Sequence, residues 1–369
     1  MTLHLQSLHR FTLPLSRDLV LADRTRRKRT GLFVTLANKA GVQGIGEIAP
    51  LSGFHQETLD QCLACITRHR DLLSALPVAD HKSETSQTFL CELFPALGPF
   101  KALPSLHFGL SMAAINLWAT AHGTTPARML GKSPLRVMPV NRLVTESCDR
   151  WQEAVRKSVA AEQTTIKLKV GRSDLTEEME ALIALQDHYG NAVRYVLDGN
   201  RGWTWDEAIT FLERVSTDSI HYGEELLSDP HRLADLTEHT RVAMALDESL
   251  FDPEQNASLI QSWPGNVVLK PDRIPGSIET CMALAASARD RGASAIISSA
   301  YNTTVGLSFL AELAASLRCP HAGLDTGRWF AEPRGDTRFQ ICRGGINTCS
   351  SWINDLEAFT PYLDEVVLS

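Results

Sequence analysis

Residues 164–173, TTIKLKVGRS, set Lys167 and Lys169 on either side of a single leucine. On a β-strand successive side chains alternate between faces, so residues two apart point the same way. Two ammonium groups directed together into a fold repel each other and lose hydration, so something there must favour them. The text around this stretch shows what kind of strand it is. Short β-rich runs recur roughly every 22 to 30 residues: PVNRLV from 139, TIKLKV from 165, RYVLD from 194 and SIHYGEE from 219. VAMALD from 242, NVVLK from 266, SAIISS from 294 and HAGLD from 321 continue the series. Helical text lies between most of them. Thr204 and Glu207 form a capping box ahead of AITFLERV, Ser277 can cap IETCMALAASARDR, and Gly292 stands where that helix should stop. Strand and helix alternating through eight runs predicts an α/β fold with a (β/α)8-type barrel, a modified TIM barrel.

A barrel carries its chemistry at the carboxyl ends of its strands. Read in order, those ends are Lys167 and Lys169, Asp198, Glu224 and Glu225, Asp247 and Glu248, Lys270, Ser298 and Ser299, and Asp325. Acid and base thus converge on one rim. Three carboxylates from adjacent strands suit a hard divalent cation such as Mg²⁺, with Mn²⁺ a substitute, and no His/Cys cluster has zinc spacing. Like charges and a nearby cation disfavour a protonated ammonium, so one lysine can act as a base while another stays charged toward an anionic substrate.

The remaining text bounds these readings. The chain has 369 residues, 44% hydrophobic and 21% charged, with a formal charge of −7. That composition is ordinary for a globular protein, and the negative balance argues against a general nucleic-acid binder. No apolar run reaches the roughly 20 residues that cross a bilayer. The first residues lack a basic start before an apolar core, so a soluble cytoplasmic protein without a signal peptide is expected. Eight scattered cysteines suggest reduced thiols, and the lone CxxC of Cys62 and Cys65 reads as two neighbours on a helix. GVQGIG (41–46) has the wrong glycine order for a phosphate loop.

The stretches IKLKVG, LDGNRGWT, HYGEE, ALDESL and VLKP resemble the Lys-x-Lys, three-ligand and final-lysine stretches of the enolase superfamily. More narrowly, GEIAPLSGFHQET, DESL, AIISSAYNTTVGL and GLDT resemble the o-succinylbenzoate synthase family, over about residues 8–327. The resemblance implies an enolase-like fold: an α+β capping domain over 1–135, completed by 328–369, and a catalytic barrel over 136–327. It implies that Lys169 takes the α-proton, Lys270 stabilises the enediolate, and Lys167 tunes Lys169 and contacts the substrate carboxylate. Asp198, Glu224 and Asp247 would hold Mg²⁺, Glu224 being taken over Glu225 by alignment from Tyr222. Asn200 and Arg201 would support that shell, and Ser298, Ser299 and Gly306 would lie near the substrate's succinyl end. The cap loop LSGFHQE would present Phe54 or His55.

The implied reaction is dehydration of a cyclohexadiene carboxylate to o-succinylbenzoate, a menaquinone precursor. N-Succinylamino acid racemase, dipeptide epimerase and cycloisomerase are the alternatives on the same scaffold. A non-catalytic barrel that binds nucleic acid through its basic run is the distant one. The expected ligand is a small carboxylate, with no nucleic acid or membrane partner, in a monomer or small homo-oligomer. Two stretches depart from the resemblance: Leu226 stands where a Glu-Glu-Pro proline is usual, and NTT (302–304) replaces serines. The basic run DRTRRKRTG (23–31) is expected to be a solvated loop joining two cap strands.

Overall fold

The computed structural model describes residues 2–21, 24–78, 85–331 and 338–368. β1 (Thr2–Leu21) and β2 (Arg24–Ala37) form a long antiparallel hairpin, and β3 (Gln43–Ile48) adds to β2. β4 (Leu76–Pro77) pairs with the start of β1. The basic run is therefore not a loop. From Arg24 onward it lies in β2, with Leu19 opposite Arg26 and Leu13 opposite Arg29, while Asp23 lies outside the described residues. The ladder offered by β1 overrides a composition that reads as solvated.

The turn from β2 to β3 is held by Asn38, whose side-chain oxygen accepts the N–H groups of Ala40 and Val42 at 3.0 Å each. Gly44 and Gly46 of GVQGIG serve packing, while Gly41 takes a turn conformation at φ +80°. A Cβ at Gly46 would sit 1.8 Å from the Gly109 carbonyl of the helix Pro104–Ala121, so only glycine lets strand and helix meet this closely. The helix Leu59–Arg68 starts at a capping box of Thr58 and Gln61 and buries Cys62; all eight cysteines are free thiols.

β5 (Val137–Pro139) leads into a parallel sheet of seven strands in chain order. These are β6 (Arg142–Val144), β7 (Thr165–Lys169), β8 (Arg194–Asp198), β9 (Ile220–Glu224), β10 (Met244–Leu246), β11 (Asn266–Leu269) and β12 (Ala295–Ile297). The expected eighth strand is reduced to two isolated parallel bridges. Gly323 bridges to Ser298 and Ala322 to Val140, which closes the sheet onto its first edge. Thr204 and Glu207 make the expected capping box. Ser277 does not cap: Gly276 takes that position at φ +79°, and Ser277 is the first helical residue with its hydroxyl buried and unpartnered. No described helix is long and apolar enough to cross a membrane.

Inside the barrel, Val196, Tyr222, Ala245, Val268 and Ile296 form a separate buried cluster. Two residues further along their strands stand Asp198, Glu224, Asp247, Lys270 and Ser298. Period two thus carries one inward face from an apolar plug to a polar rim.

The chain end returns to the first sheet. β13 (Gly345–Asn347) pairs with β5 and β14 (Leu363–Glu365) with β1, while the Phe359 ring meets Phe33 at 5.1 Å. The β3 sheet is locked to the barrel by Glu47, which is fully buried. Its carboxylate accepts the Thr303 N–H at 3.0 Å, the Thr303 hydroxyl at 2.6 Å and the Gly306 N–H at 3.0 Å, at the start of the helix Thr304–Leu317.

Candidate active site

The rim residues line a cavity of about 580 Å³ between the barrel mouth and the last residues of β1. Asp18, Leu19 and Val20 come from the hairpin side and Phe54 from the loop after β3. Lys167 Nζ lies 2.6 Å from Glu224 Oε1 and 2.8 Å from Asp198 Oδ2. Lys169 Nζ lies 2.6 Å from the same Asp198 oxygen and 2.6 Å from Asn200 Oδ1. On the other side of the ring Lys270 donates to Asp247 Oδ2 and sits 5.6 Å from the Phe54 ring and 5.5 Å from Phe251. The paired lysines of TTIKLKVGRS, Lys167 buried and Lys169 half-buried, can sit side by side because the carboxylates of Asp198 and Glu224 meet them.

Burial pulls the Lys167 pKa down, but Asp198, Glu224 and Asp247 outweigh it and hold it well above the ordinary lysine value. Burial raises the Asp198 carboxyl, and Lys167 and Lys169 more than reverse that, so it stays below the usual range. Glu224 goes the other way: burial raises it, Lys167 opposes, and the neighbouring Asp198 and Asp247 carry it further up.

Among the described residues no three His, Cys, Asp or Glu side chains are drawn together as a ready ligand set. The lysines stand between the carboxylates instead. Even so, Asp198 Oδ1, Glu224 Oε2 and Asp247 Oδ1 are buried without any hydrogen-bond partner. Buried acceptors are normally satisfied, so one orphan oxygen on each of three adjacent acids is a donor set that fits a hard divalent cation. Glu248, which the sequence reading placed on the rim without a role, adds a fourth orphan oxygen. Its other oxygen accepts from Asn200 Nδ2 at 2.8 Å, and burial with Asp247 and Asp198 nearby pushes its pKa up to about 7.

Glu225 turns away from this cluster. One of its carboxylate oxygens accepts the N–H groups of Asp247 at 3.0 Å and Ser249 at 2.8 Å, and the other binds Arg201 Nε at 3.1 Å. Arg201 is thus a brace behind the rim and does not line the cavity. Ser298 and Ser299 do line it, near the Gly323 carbonyl. Gly306 does not: a Cβ there would meet the Glu47 carboxylate at 2.6 Å, so this glycine makes room for the cap–barrel lock. Phe54 faces the cavity, whereas His55 is buried beside it. The His55 Nδ1 accepts the Leu51 N–H at 3.0 Å and its Nε2 lies 3.7 Å from Asp272.

Tyr301 was missed as a site residue. It lines the cavity at φ +59°, a backbone region that bulky residues rarely occupy and that clusters at functional sites. Asn200 and Glu225 share that strain, at φ 43° and 40°.

Residues 150–348 match the family described as "Enolase C-terminal domain-like", and residues 3–117 match "MenC, N-terminal domain". The o-succinylbenzoate synthase of Edwardsiella ictaluri is 30% identical over 329 residues, 87% of this chain and 89% of that relative. The chain belongs to the o-succinylbenzoate synthase family of the enolase superfamily. A Pasteurella multocida o-succinylbenzoate synthase is 30% identical over 332 residues, 86% of this chain and 88% of the other. The same fold recurs in a Methylococcus capsulatus dipeptide epimerase solved with Mg and L-Arg-D-Lys, at TM-score 0.79 and 20% identity, covering 97% and 99% of the two chains. It recurs again in a Bacillus cereus N-succinyl Arg/Lys racemase, at TM-score 0.80 and 16% identity, covering 99% and 100%. In this member of the o-succinylbenzoate synthase family, a family of lyases, the rim of lysines and carboxylates occupies the barrel mouth that the enolase fold places beneath its cap.

Proposed function

We propose that the chain is an Mg²⁺-dependent dehydratase that converts 2-succinyl-6-hydroxy-2,4-cyclohexadiene-1-carboxylate to 2-succinylbenzoate in menaquinone biosynthesis. The observation that carries this reading is the rim itself: Lys167 and Lys169 on β7 face Lys270 beyond β11 across three acids that each keep an unpartnered oxygen.

Asp198, Glu224 and Asp247 would hold Mg²⁺. When bound, Mg²⁺ supplies positive charge to the substrate carboxylate as negative charge moves onto it. Lys169 takes the proton from the carbon beside that carboxylate, leaving the C–H electron pair in an enediolate. Lys270, buried among Asp247 and two phenyl rings, presents its ammonium to that developing charge. Lys167 keeps its proton because the acids around it favour the cation, and it orients the substrate carboxylate. Lys169 then returns its proton to the departing hydroxyl. The C–O bond breaks, water leaves and the ring becomes aromatic, so the site has chiefly to stabilise the carbanion-like transition state. Asn200 holds Lys169 through its side-chain oxygen and Glu248 through its nitrogen. Ser298 and Ser299 face the succinyl chain, and Phe54 with Leu19 and Val20 of β1 keeps water from the intermediate.

One observation favours a second activity. Lys169 and Lys270 belong to strands four apart around the ring, so they approach a bound α-carbon from opposite sides, as two-base racemisation requires. N-Succinylamino acids followed by polarimetry would detect it.

The deciding experiment follows loss of the diene's ultraviolet absorbance by purified protein with Mg²⁺, with and without a chelator. Fast loss that the chelator abolishes is expected. Absence of turnover with Mg²⁺ shown to be bound would sink the dehydratase reading and leave the racemase and epimerase substrates to test.

A further inference from the structure

Four cations line the main cavity: Lys167, Lys169, Lys270 and Arg172. The three lysines are each committed to a carboxylate. Arg172 is not: its side chain forms no hydrogen bond or ion pair with any described residue. Its side chain is exposed, but its backbone is fixed. It follows β7 on a loop whose backbone is pinned from beneath by Glu178, a fully buried acid. The carboxylate of Glu178 accepts the N–H groups of Gly171 at 2.7 Å, Arg172 at 2.9 Å and Ser173 at 3.0 Å. Three backbone bonds to one buried carboxylate fix the loop from which Arg172 lines the cavity.

Across the closing seam of the barrel, after β12, stands Tyr301. Its backbone carbonyl accepts from the buried Arg29 at 3.1 Å, which holds the residue in its strained φ of +59°. Its ring is wedged edge-on between Phe54 at 6.4 Å and Trp329 at 5.5 Å, while its hydroxyl has no partner among the described residues. Tyr301 and Arg172 both line this cavity. A strained aromatic donor and a guanidinium with no ion pair among the described residues thus line one cavity.

We propose that Arg172 and Tyr301 form a subsite for a second carboxylate, so that this cavity selects dicarboxylates, one acid group held at the lysine rim and the other at this wall. The inference rests on the proposed function for what the first carboxylate does there, and it names which end of a 2-succinylbenzoate-like molecule the wall reads. Arg172 supplies a charge-assisted, potentially bidentate contact and Tyr301 a single hydrogen bond. Neither touches the reacting carbon, so they determine specificity and do not carry out chemistry.

The test measures binding by titration calorimetry of two ligands to the full chain with Mg²⁺: 2-succinylbenzoate, and its ester methylated only at the succinyl carboxylate. Wild type should prefer the diacid by about tenfold or more, the scale of one partly hydrated charge-assisted hydrogen bond. Arg172→Ala should abolish that preference by weakening the diacid alone, and Tyr301→Phe should reduce it in part. Arg172 is exposed, so its variant should keep the wild-type melting temperature. A wild type indifferent to the ester, or an Arg172→Ala protein that still prefers the diacid, overturns the subsite. A wild type that prefers the diacid and never converts the diene supports the subsite and sinks the dehydratase reading.

Discussion

Lys169→Ala separates a catalytic base from a structural brace, because the two roles predict losses of different size. Lys169 Nζ makes two contacts of 2.6 Å, to Asp198 and Asn200, and its side chain is 17% exposed. Truncation does not orphan Asp198, since Lys167 remains 2.8 Å from the same oxygen. The stability cost is therefore about 1–2 kcal/mol, one charge-assisted hydrogen bond discounted for partial hydration. The kinetic cost is larger if Lys169 takes the proton. General-base catalysis contributes up to about 10⁴-fold, which corresponds to about 5 kcal/mol of barrier at 1.36 kcal/mol per decade. The assay pairs diene turnover under saturating Mg²⁺ with urea unfolding of the same preparation. The expected result is a folded, metal-competent protein with turnover about 10²- to 10⁴-fold lower. A variant that keeps a tenth of wild-type kcat would refute the assignment of the base.

Two further predictions concern the frame that holds this rim. Glu47→Ala leaves the Thr303 and Gly306 donors buried and unpaired, at about 1–3 kcal/mol for each such group. A loss of about 3–5 kcal/mol in urea melts is expected, and a loss below about 1 kcal/mol would mean that the cap is held elsewhere. Glu312 is buried, with one oxygen accepting the Ala127 N–H at 3.0 Å and the other unpartnered, and burial pushes its pKa up to about 7. Between the unfolded value near 4.5 and that folded value, the native chain holds a proton that the unfolded chain has released, so this group's contribution falls as pH rises. Glu312→Gln should accordingly exceed wild type by about 2–3 kcal/mol at pH 8 and match it near pH 4, and a pH-independent difference would contradict the buried charge.

The rim was legible because it is local. Lys167 with Lys169, Asp198, Glu224, Asp247 and Lys270 each occupy the end of a short β-rich run, and alternation along a strand tells which of two neighbours faces inward. Glu224 against Glu225 follows the same rule: Glu224 keeps the parity of Tyr222, while Glu225 leaves the strand at φ 40° and points behind it. The long β1–β2 hairpin was not legible. Its residues TRRKRT read as solvated until β1 supplies the partner ladder. Gly306 was read as a substrate contact on resemblance, and its reason is a carboxylate 259 residues earlier in the chain. The eighth strand was read at full length but survives only as two bridges, enough to close a ring whose curvature is set by the seven strands before it.

The sequence by itself therefore determined the barrel, the order of its strands and the identity of the charges at their carboxyl ends. Those properties follow from spacing and alternation over a few residues, which the covalent chain imposes wherever a strand forms. Only the tertiary structure decided which charges neutralise one another, which oxygens are left unpartnered, and where Glu47, Arg172 and Tyr301 stand. Each of those outcomes depends on groups brought together from distant strands, on how far water is excluded between them, and on backbone conformations that no local propensity favours.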